Sequence, residues 1–252
     1  MKYDNIIYEK KEGIARITLN RPGAMNAITV ELLKEIKDAI LDASRDKGVK
    51  VIVLTGAGRA FSAGVDLKAL GDRKLERGKV GDFMDSPARD LIDTIQSVPK
   101  VVIAVVNGYC FTGAIEIVLA CDLVLASEEA KFGDTHAKWG LRPTWGMSQR
   151  LPRMVGILKA KELSFTADTI DAHEAERIGL VNKVVPKDRL EEALQELARK
   201  LISNSQQSLA AYKYLYNRGL QETLEKGLEM ERNTEFDFDD TEERLAGFRK
   251  KS

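Results

Sequence analysis

Two cysteines, two histidines and no excess of charge of either sign set the first limits on what this chain can be. Cys110 and Cys121 lie in apolar surroundings, with no Cys-x-x-Cys and no Cys/His companion at metal-ligand spacing, so neither a disulfide framework nor a metal site is expected. A reducing, cytoplasmic setting follows from that cysteine usage. Lysine plus arginine and aspartate plus glutamate both number 39, which gives no net field for nucleic acid or an anionic membrane. No uncharged apolar run approaches the ~18 residues of a spanning helix. The opening MKYDNIIYEK has no apolar core of the signal-peptide kind. A protein that acts on small molecules needs none of these features.

What is present is an alternation of strand-like and helix-like patterns through the first two thirds of 252 residues. Ile14, Ile17 and Leu19 sit in a β-rich run that stops at Asn20-Arg21-Pro22, where proline removes a ladder donor. Leu32, Leu33, Ile36, Ile40 and Ala43 then recur at helical spacing after Thr29, marking one buried stripe. Val51-Ile52-Val53-Leu54 is a continuous apolar run closed by Thr55-Gly56-Ala57-Gly58, as in a buried strand of a parallel sheet. This is α/β organisation of the βαβ kind. The stretch GDRKLERGKVGDFMDSP, Gly71 to Pro87, is charged and poor in periodic apolar residues, and it reads as a mobile surface segment beside a pocket. A helix around Leu91, Ile92 and Ile95 leads from it into a strand at Val101. From Asp188 on, the pattern is helical throughout, starting with an Asp188/Glu191 pair that resembles a capping box.

Chemistry gathers at two glycine turns. Phe61-Ser62-Ala63-Gly64-Val65-Asp66-Leu67-Lys68 follows the Val51 run, and Gly113 follows the Val101 run. Neither has the spacing of a dinucleotide or P-loop motif. Small residues let a ligand approach the main chain, and two such turns at adjacent strand ends can give two N–H donors to one oxygen. Spacing alone does not separate this from ordinary βα turns, where glycine is common. Glu116 stands among Ala114, Ile115, Ile117, Val118 and Leu119. A carboxylate in such apolar company is costly to keep unless it is used, which makes Glu116 a candidate for proton transfer.

Five ordered motifs carry a family resemblance: LNRPGAMNAI (Leu19 to Ile28), FSAGVDL (Phe61 to Leu67), VNGYCFTGAIEIVLACD (Val106 to Asp122), FGDTHAKWGLRP (Phe132 to Pro143) and GLVNKVVP (Gly179 to Pro186). The chain resembles the enoyl-CoA hydratase/isomerase, or crotonase, family over nearly its whole length. That resemblance implies a spiral of ββα repeats over residues 1–187 and a helical trimerisation region over 188–252. It further implies homotrimers or dimers of trimers, an acyl-CoA substrate, and no bound cofactor or metal, coenzyme A being part of the substrate.

Carried over by position, the resemblance makes the backbone N–H groups of Val65 and Gly113 an oxyanion hole for the thioester oxygen. Ala63, Gly64, Asp66, Leu67 and Lys68, with Ala24 and Met25, would line the coenzyme A path. Asp66 is expected to fix its own loop by hydrogen bonds. Glu116 matches the first of two glutamates that handle water in the family's hydratases, whereas His136 stands where the second is found. Imidazole can act as acid or base near neutral pH, so the replacement need not end proton transfer. Asp134, two residues earlier, is placed either to orient that ring or to act as the carboxylate itself. Trp139 and Trp145 bracket a turn at which either indole can narrow the acyl pocket or serve the core. Thr112 and Ala114 replace glycines that often flank the Gly113 position. Phe248 and Lys251 resemble the family's nucleotide-end contacts.

The leading expectation is hydration of a 2-enoyl or cyclic enoyl-CoA thioester through a stabilised enolate. Double-bond isomerisation with Glu116 as single shuttle is the alternative within the same chemistry. A catalytically weak acyl-CoA-binding scaffold is the alternative outside it.

Overall fold

β-Branched runs and amphipathic stripes alternate, and the computed structural model shows what each becomes over residues 2–71 and 73–249, without the side chains of residues 247 and 248. β1 (Ile6–Lys11) and β2 (Ile14–Leu19) pair antiparallel, α1 (Val30–Arg45) returns the chain, and β3 (Val51–Gly56) lies parallel to β2. Next come β4 (Ala60–Ser62), α2 (Asp82–Ser97), β5 (Val101–Val106), β6 (Tyr109–Phe111) and α3 (Gly113–Val118). β7 (Leu123–Ser127), β8 (Lys131–Gly133), α4 (Met147–Val155), α5 (Ile157–Thr166), β9 (Thr169–Asp171), α6 (Ala172–Arg177) and β10 (Lys183–Val185) complete the spiral. The helices α7 (Leu190–Ser203), α8 (Gln206–Gly219), α9 (Leu224–Asn233) and α10 (Thr241–Arg249) follow.

Successive turns of the chain give one strand to each of two sheets. The six-stranded sheet runs β1-β2-β3-β5-β7-β10 and the four-stranded sheet β4-β6-β8-β9. Both are parallel except at the β1–β2 and β8–β9 pairs. This is the expected α/β spiral of ββα repeats. Every residue of β3 and β5 is buried, which is why both read as unbroken apolar runs and not as alternations. On α1, Leu32, Leu33, Ile36 and Ile40 are no more than 1% exposed, and each such side chain contributes about 1.5–3 kcal/mol. The Thr29 hydroxyl caps the helix by accepting from Leu32 N at 3.2 Å. Among the described residues no helix is long and apolar enough to cross a membrane.

Three expectations need correction. The segment read as mobile from Gly71 to Pro87 is helical from Asp82, with Val80, Met84 and Asp85 buried. Its apolar positions belong to the stripe Met84, Ala88, Leu91, Ile92 and Ile95, which the surrounding charges mask; the helix continues through Pro87, which cannot make its own intrahelical N–H bond. The two glycine turns follow the short strands β4 and β6 of the smaller sheet, not β3 and β5 directly. The Asp188/Glu191 capping box does not form: Pro186 begins a 3-10 turn over Lys187–Arg189, Arg189 takes the cap position without a side-chain bond, and Glu191 pairs with Arg16 at 2.6 Å.

Asn26 ties the loop after β2 to the loop before β4. It adopts φ 55°, which asparagine tolerates better than most residues. Fully buried, it accepts from Arg21 N at 2.9 Å and donates to Ala57 O at 2.9 Å and Ala60 O at 2.8 Å. Asn26→Ala strips partners from three main-chain groups and is expected to cost about 3 kcal/mol, against about 1 kcal/mol for Thr29→Ala. Urea unfolding of both variants checks this; an Asn26→Ala loss no larger than that of Thr29→Ala contradicts it.

Candidate active site

Parallel pairing of β4 with β6, in the register Ser62 to Cys110, brings the two glycine turns together. A Cβ on Gly64 would stand 2.8 Å from Phe111 O and 3.6 Å from Gly113 N, so the turns meet main chain to main chain. Gly64 also has φ +87°, where a side chain is strained. Val65 forms a single parallel bridge with Ile28: Ile28 N donates to Gly64 O at 2.8 Å and Asp66 N to Ile28 O at 2.9 Å. In a parallel bridge the bridged residue turns its own N–H to the other side. Among the described residues the Val65 and Gly113 amides have no acceptor, whereas Gly64 N, Asp66 N and Thr112 N are all bonded.

Thr112 fixes the second turn. Its backbone has φ 53° and ψ −111°, unusual for a β-branched residue, and that ψ sets the plane of the peptide carrying the Gly113 N–H. Bonds on both sides hold it there: Thr112 N donates to Gly133 O at 2.9 Å, and its hydroxyl meets Thr135 Oγ1 at 2.6 Å. The departure from flanking glycines therefore gives the turn a hydroxyl anchor to the β8 end.

A cleft opens where these turns meet, and Ala63, Val65, Leu67, Glu116, His136 and Trp139 all line it. Glu116 is 2% exposed. It is not the unpartnered carboxylate its apolar neighbours suggest, because Oε1 accepts from Trp145 N at 3.0 Å and Met147 N at 2.9 Å. Oε2 is left facing His136 Nε2 at 3.8 Å, beyond direct hydrogen bonding. Burial raises the Glu116 carboxyl above its usual range, with the Met147 amide, the nearby imidazole and the Trp145 amide pulling it partly back.

Asp134 is bonded to the ring. Its Oδ1 is 2.6 Å from His136 Nδ1 and its Oδ2 accepts from Ser164 Oγ at 2.7 Å, so both oxygens are engaged behind the imidazole. Burial pushes the Asp134 carboxyl up, but the bonds from His136 and Ser164 and the imidazole charge outweigh it and leave it below the usual range. Nδ1 then carries its proton toward Asp134, and Nε2 is the nitrogen presented to the cleft.

Around this centre, Asp66 anchors its loop as expected: Oδ1 accepts from Lys68 N at 3.1 Å and Ala69 N at 3.3 Å, and Oδ2 pairs with Arg21 at 3.0 Å. Met25 O accepts from Ala63 N at 3.0 Å, which sets the loop of Ala24 and Met25 beside the first turn. Ala24 and Lys68 are exposed, outside the cleft wall. Trp139 is 58% exposed at the cleft, whereas Trp145 is 3% exposed and forms part of its floor. Lys251 and the side chain of Phe248 lie outside the described residues. Sequence reasoning missed Thr135, Thr144 and the buried Asp85, whose Oδ1 accepts from Thr144 Oγ1 and Trp145 Nε1. The i, i+3, i+4 spacing from Met84 through Ile95 was the available signal for Asp85 facing inward.

Comparison with known proteins bears on this geometry. Residues 9–251 match the family model described as enoyl-CoA hydratase/isomerase. The chain is 38% identical over 231 residues to a probable peroxisomal enoyl-CoA hydratase 1 of Arabidopsis thaliana, covering 91% of this chain and 85% of that one. It is 38% identical to a crotonyl-CoA hydratase of Syntrophomonas wolfei subsp. wolfei, covering 92% and 88%. A crystal structure of enoyl-CoA hydratase from Bacillus anthracis superposes with a TM-score of 0.90 at 34% identity, covering 98% of this chain and 97% of that one. With a cleft built where two paired turns expose their amides beside a buried carboxylate, and with a match over almost all of its length, this chain belongs to the enoyl-CoA hydratase/isomerase family.

Proposed function

We propose that this chain hydrates a short 2-enoyl-CoA thioester, with Glu116 and His136 handling the two protons and the amides of Val65 and Gly113 receiving the thioester oxygen. The observation that carries this reading is the pair of Glu116 Oε2 and His136 Nε2, 3.8 Å apart on one wall of the cleft that the two turns frame. A water held between them can lose a proton to the Glu116 carboxylate as its oxygen bonds to the β-carbon. The double-bond electrons move onto the thioester oxygen, where two main-chain donors stabilise the enolate. That enolate then takes a proton at the α-carbon from Nε2 of the protonated His136 ring, held in place by Asp134. The similarity to a crotonyl-CoA hydratase supports a four-carbon substrate, and the bulk of Trp145 on the cleft floor agrees with a short acyl group.

Crotonyl-CoA and a 3-enoyl-CoA, offered separately, distinguish the readings by loss or gain of conjugated absorbance. Loss from crotonyl-CoA supports hydration, and gain from the 3-enoyl substrate alone supports isomerisation. Glu116→Gln keeps shape but not proton transfer and is expected to lower kcat about 10²–10⁴-fold with little change in KM. His136→Ala is expected to cost a comparable factor in hydration; wild-type turnover in that variant returns the imidazole to a packing role.

Glu116 also makes stability depend on pH. Its folded-state value is raised, so the protein holds its full stability below the unfolded value and loses some as pH rises through the folded one. An amide in its place acquires no such charge. The melting temperature of Glu116→Gln should therefore exceed that of the wild type at pH 8 and converge on it only as pH falls below the ordinary carboxyl value of 4.5, as scanning calorimetry can follow. A gap that widens toward acid contradicts the burial argument.

A further inference from the structure

Asp85 is a buried carboxylate that the proposed reaction does not use. It lies on α2 at 1% exposure, facing the segment between β8 and α4. Its Oδ1 accepts from Thr144 Oγ1 at 2.7 Å and from Trp145 Nε1 at 2.8 Å, and both donors line the cleft. Keeping a carboxylate beside two neutral donors in the interior is costly, and replacement by an apolar residue is often neutral in such places. What it gains is two charge-assisted bonds, roughly twice as strong as neutral ones, on a side chain in a particular position.

That position is the junction between the two halves of the site. The Trp145 indole lies over Gly113 so closely that a Cβ there would stand 2.6 Å from its Cζ3. The Trp145 main chain meanwhile donates to Glu116 Oε1 at 3.0 Å. One residue thus touches both the amide-bearing turn and the proton-transferring carboxylate. Arg150 holds its remaining polar group, donating from Nη1 to Trp145 O at 3.0 Å while Nη2 donates to Gln96 Oε1 at 2.8 Å. Around Trp145, then, α2 supplies the anchor of the ring and α4 the anchor of the carbonyl. Among the described residues, the bond to Asp85 is the hydrogen bond that the indole makes over Gly113, within its core packing.

We infer that Asp85 is a positioning residue for the hydration proposed above: by holding the Trp145 indole and the Thr144 hydroxyl, it keeps the Glu116 carboxylate and the Gly113 amide in register across the cleft. Small misplacements of reacting groups cost rate more than binding, a shift near 1 Å being worth about 10²-fold. The signature is accordingly a fall in kcat at nearly constant KM.

The test is crotonyl-CoA hydration by Trp145→Phe, Asp85→Asn, Asp85→Ala and the Asp85→Ala/Trp145→Phe double variant. Trp145→Phe keeps an aromatic ring over Gly113 without the N–H, and should lower kcat about tenfold or more with KM within about threefold. Asp85→Asn retains an oxygen that can accept both donors and should stay within about threefold of wild-type kcat. The double variant should be no more than about twofold worse than the slower single one, since both changes cut the same link. Trp145→Phe with wild-type kcat, or losses that multiply in the double variant, overturns the inference. If Asp85→Ala does not fold, the contrast between slow Trp145→Phe and fast Asp85→Asn still decides. A wild-type protein inert on crotonyl-CoA removes the hydration reading and this inference with it; an active wild type with unaffected variants removes the inference alone.

Discussion

The contact between the main chains at Gly64 and Phe111 to Gly113 is the constraint on which the site depends. Parallel pairing of two three-residue strands delivers the turns to the same level, and the missing Cβ at Gly64 lets them touch. From there the orientations follow. The bridge to Ile28 turns the Val65 N–H outward, and the strained ψ at Thr112 sets the Gly113 N–H. Any side chain on Gly64 would have to push apart two backbones, which no rotamer change can relieve. A site of this kind tolerates wide variation in the side chains around it, because its donors are peptide groups.

Electrostatics divides the titrating groups by what surrounds them. Glu116 is raised by burial although two amides grip one of its oxygens, whereas Asp134 is lowered by the bonds from His136 and Ser164. Two carboxylates flanking one imidazole are thereby pushed apart, one toward exchanging a proton and one toward holding its charge. At the position of the second glutamate of the resemblance, Asp134 is bonded to the His136 ring and Nε2 faces Glu116 across the cleft. The ring at that position is held in a fixed orientation: its side chain is 12% exposed and both ring nitrogens face a carboxylate.

The elements legible from the amino-acid pattern were those long enough to show a period. The α1 stripe, the apolar runs of β3 and β5, and the inward face of Glu116 all appear where the pattern puts them. β4, β6 and β8 are three residues each, too short for any period, and the smaller sheet that aligns the turns was therefore invisible as a sheet. The glycine pattern marked the two turns as places where main-chain donors could meet an oxygen, but only the resemblance picked out Val65 and Gly113 within them, since a main-chain donor leaves no trace in its own residue type. Asp85 was hidden for the opposite reason. Its charge, inside a charged segment, suggests solvent and masks the helical spacing of Met84 through Ile95 that places it inward, where it meets Thr144 and Trp145. The capping-box pattern at Asp188 lost to Pro186, whose fixed φ starts a tighter turn just ahead of it.

A crystal structure with butyryl-CoA, a saturated and unreactive thioester, tests the central claim most directly. The thioester oxygen should lie within about 3.2 Å of both the Val65 and the Gly113 nitrogens, with the β-carbon facing Glu116 and His136. A carbonyl that lies beyond about 4 Å from either amide, in a fully occupied cleft, contradicts it.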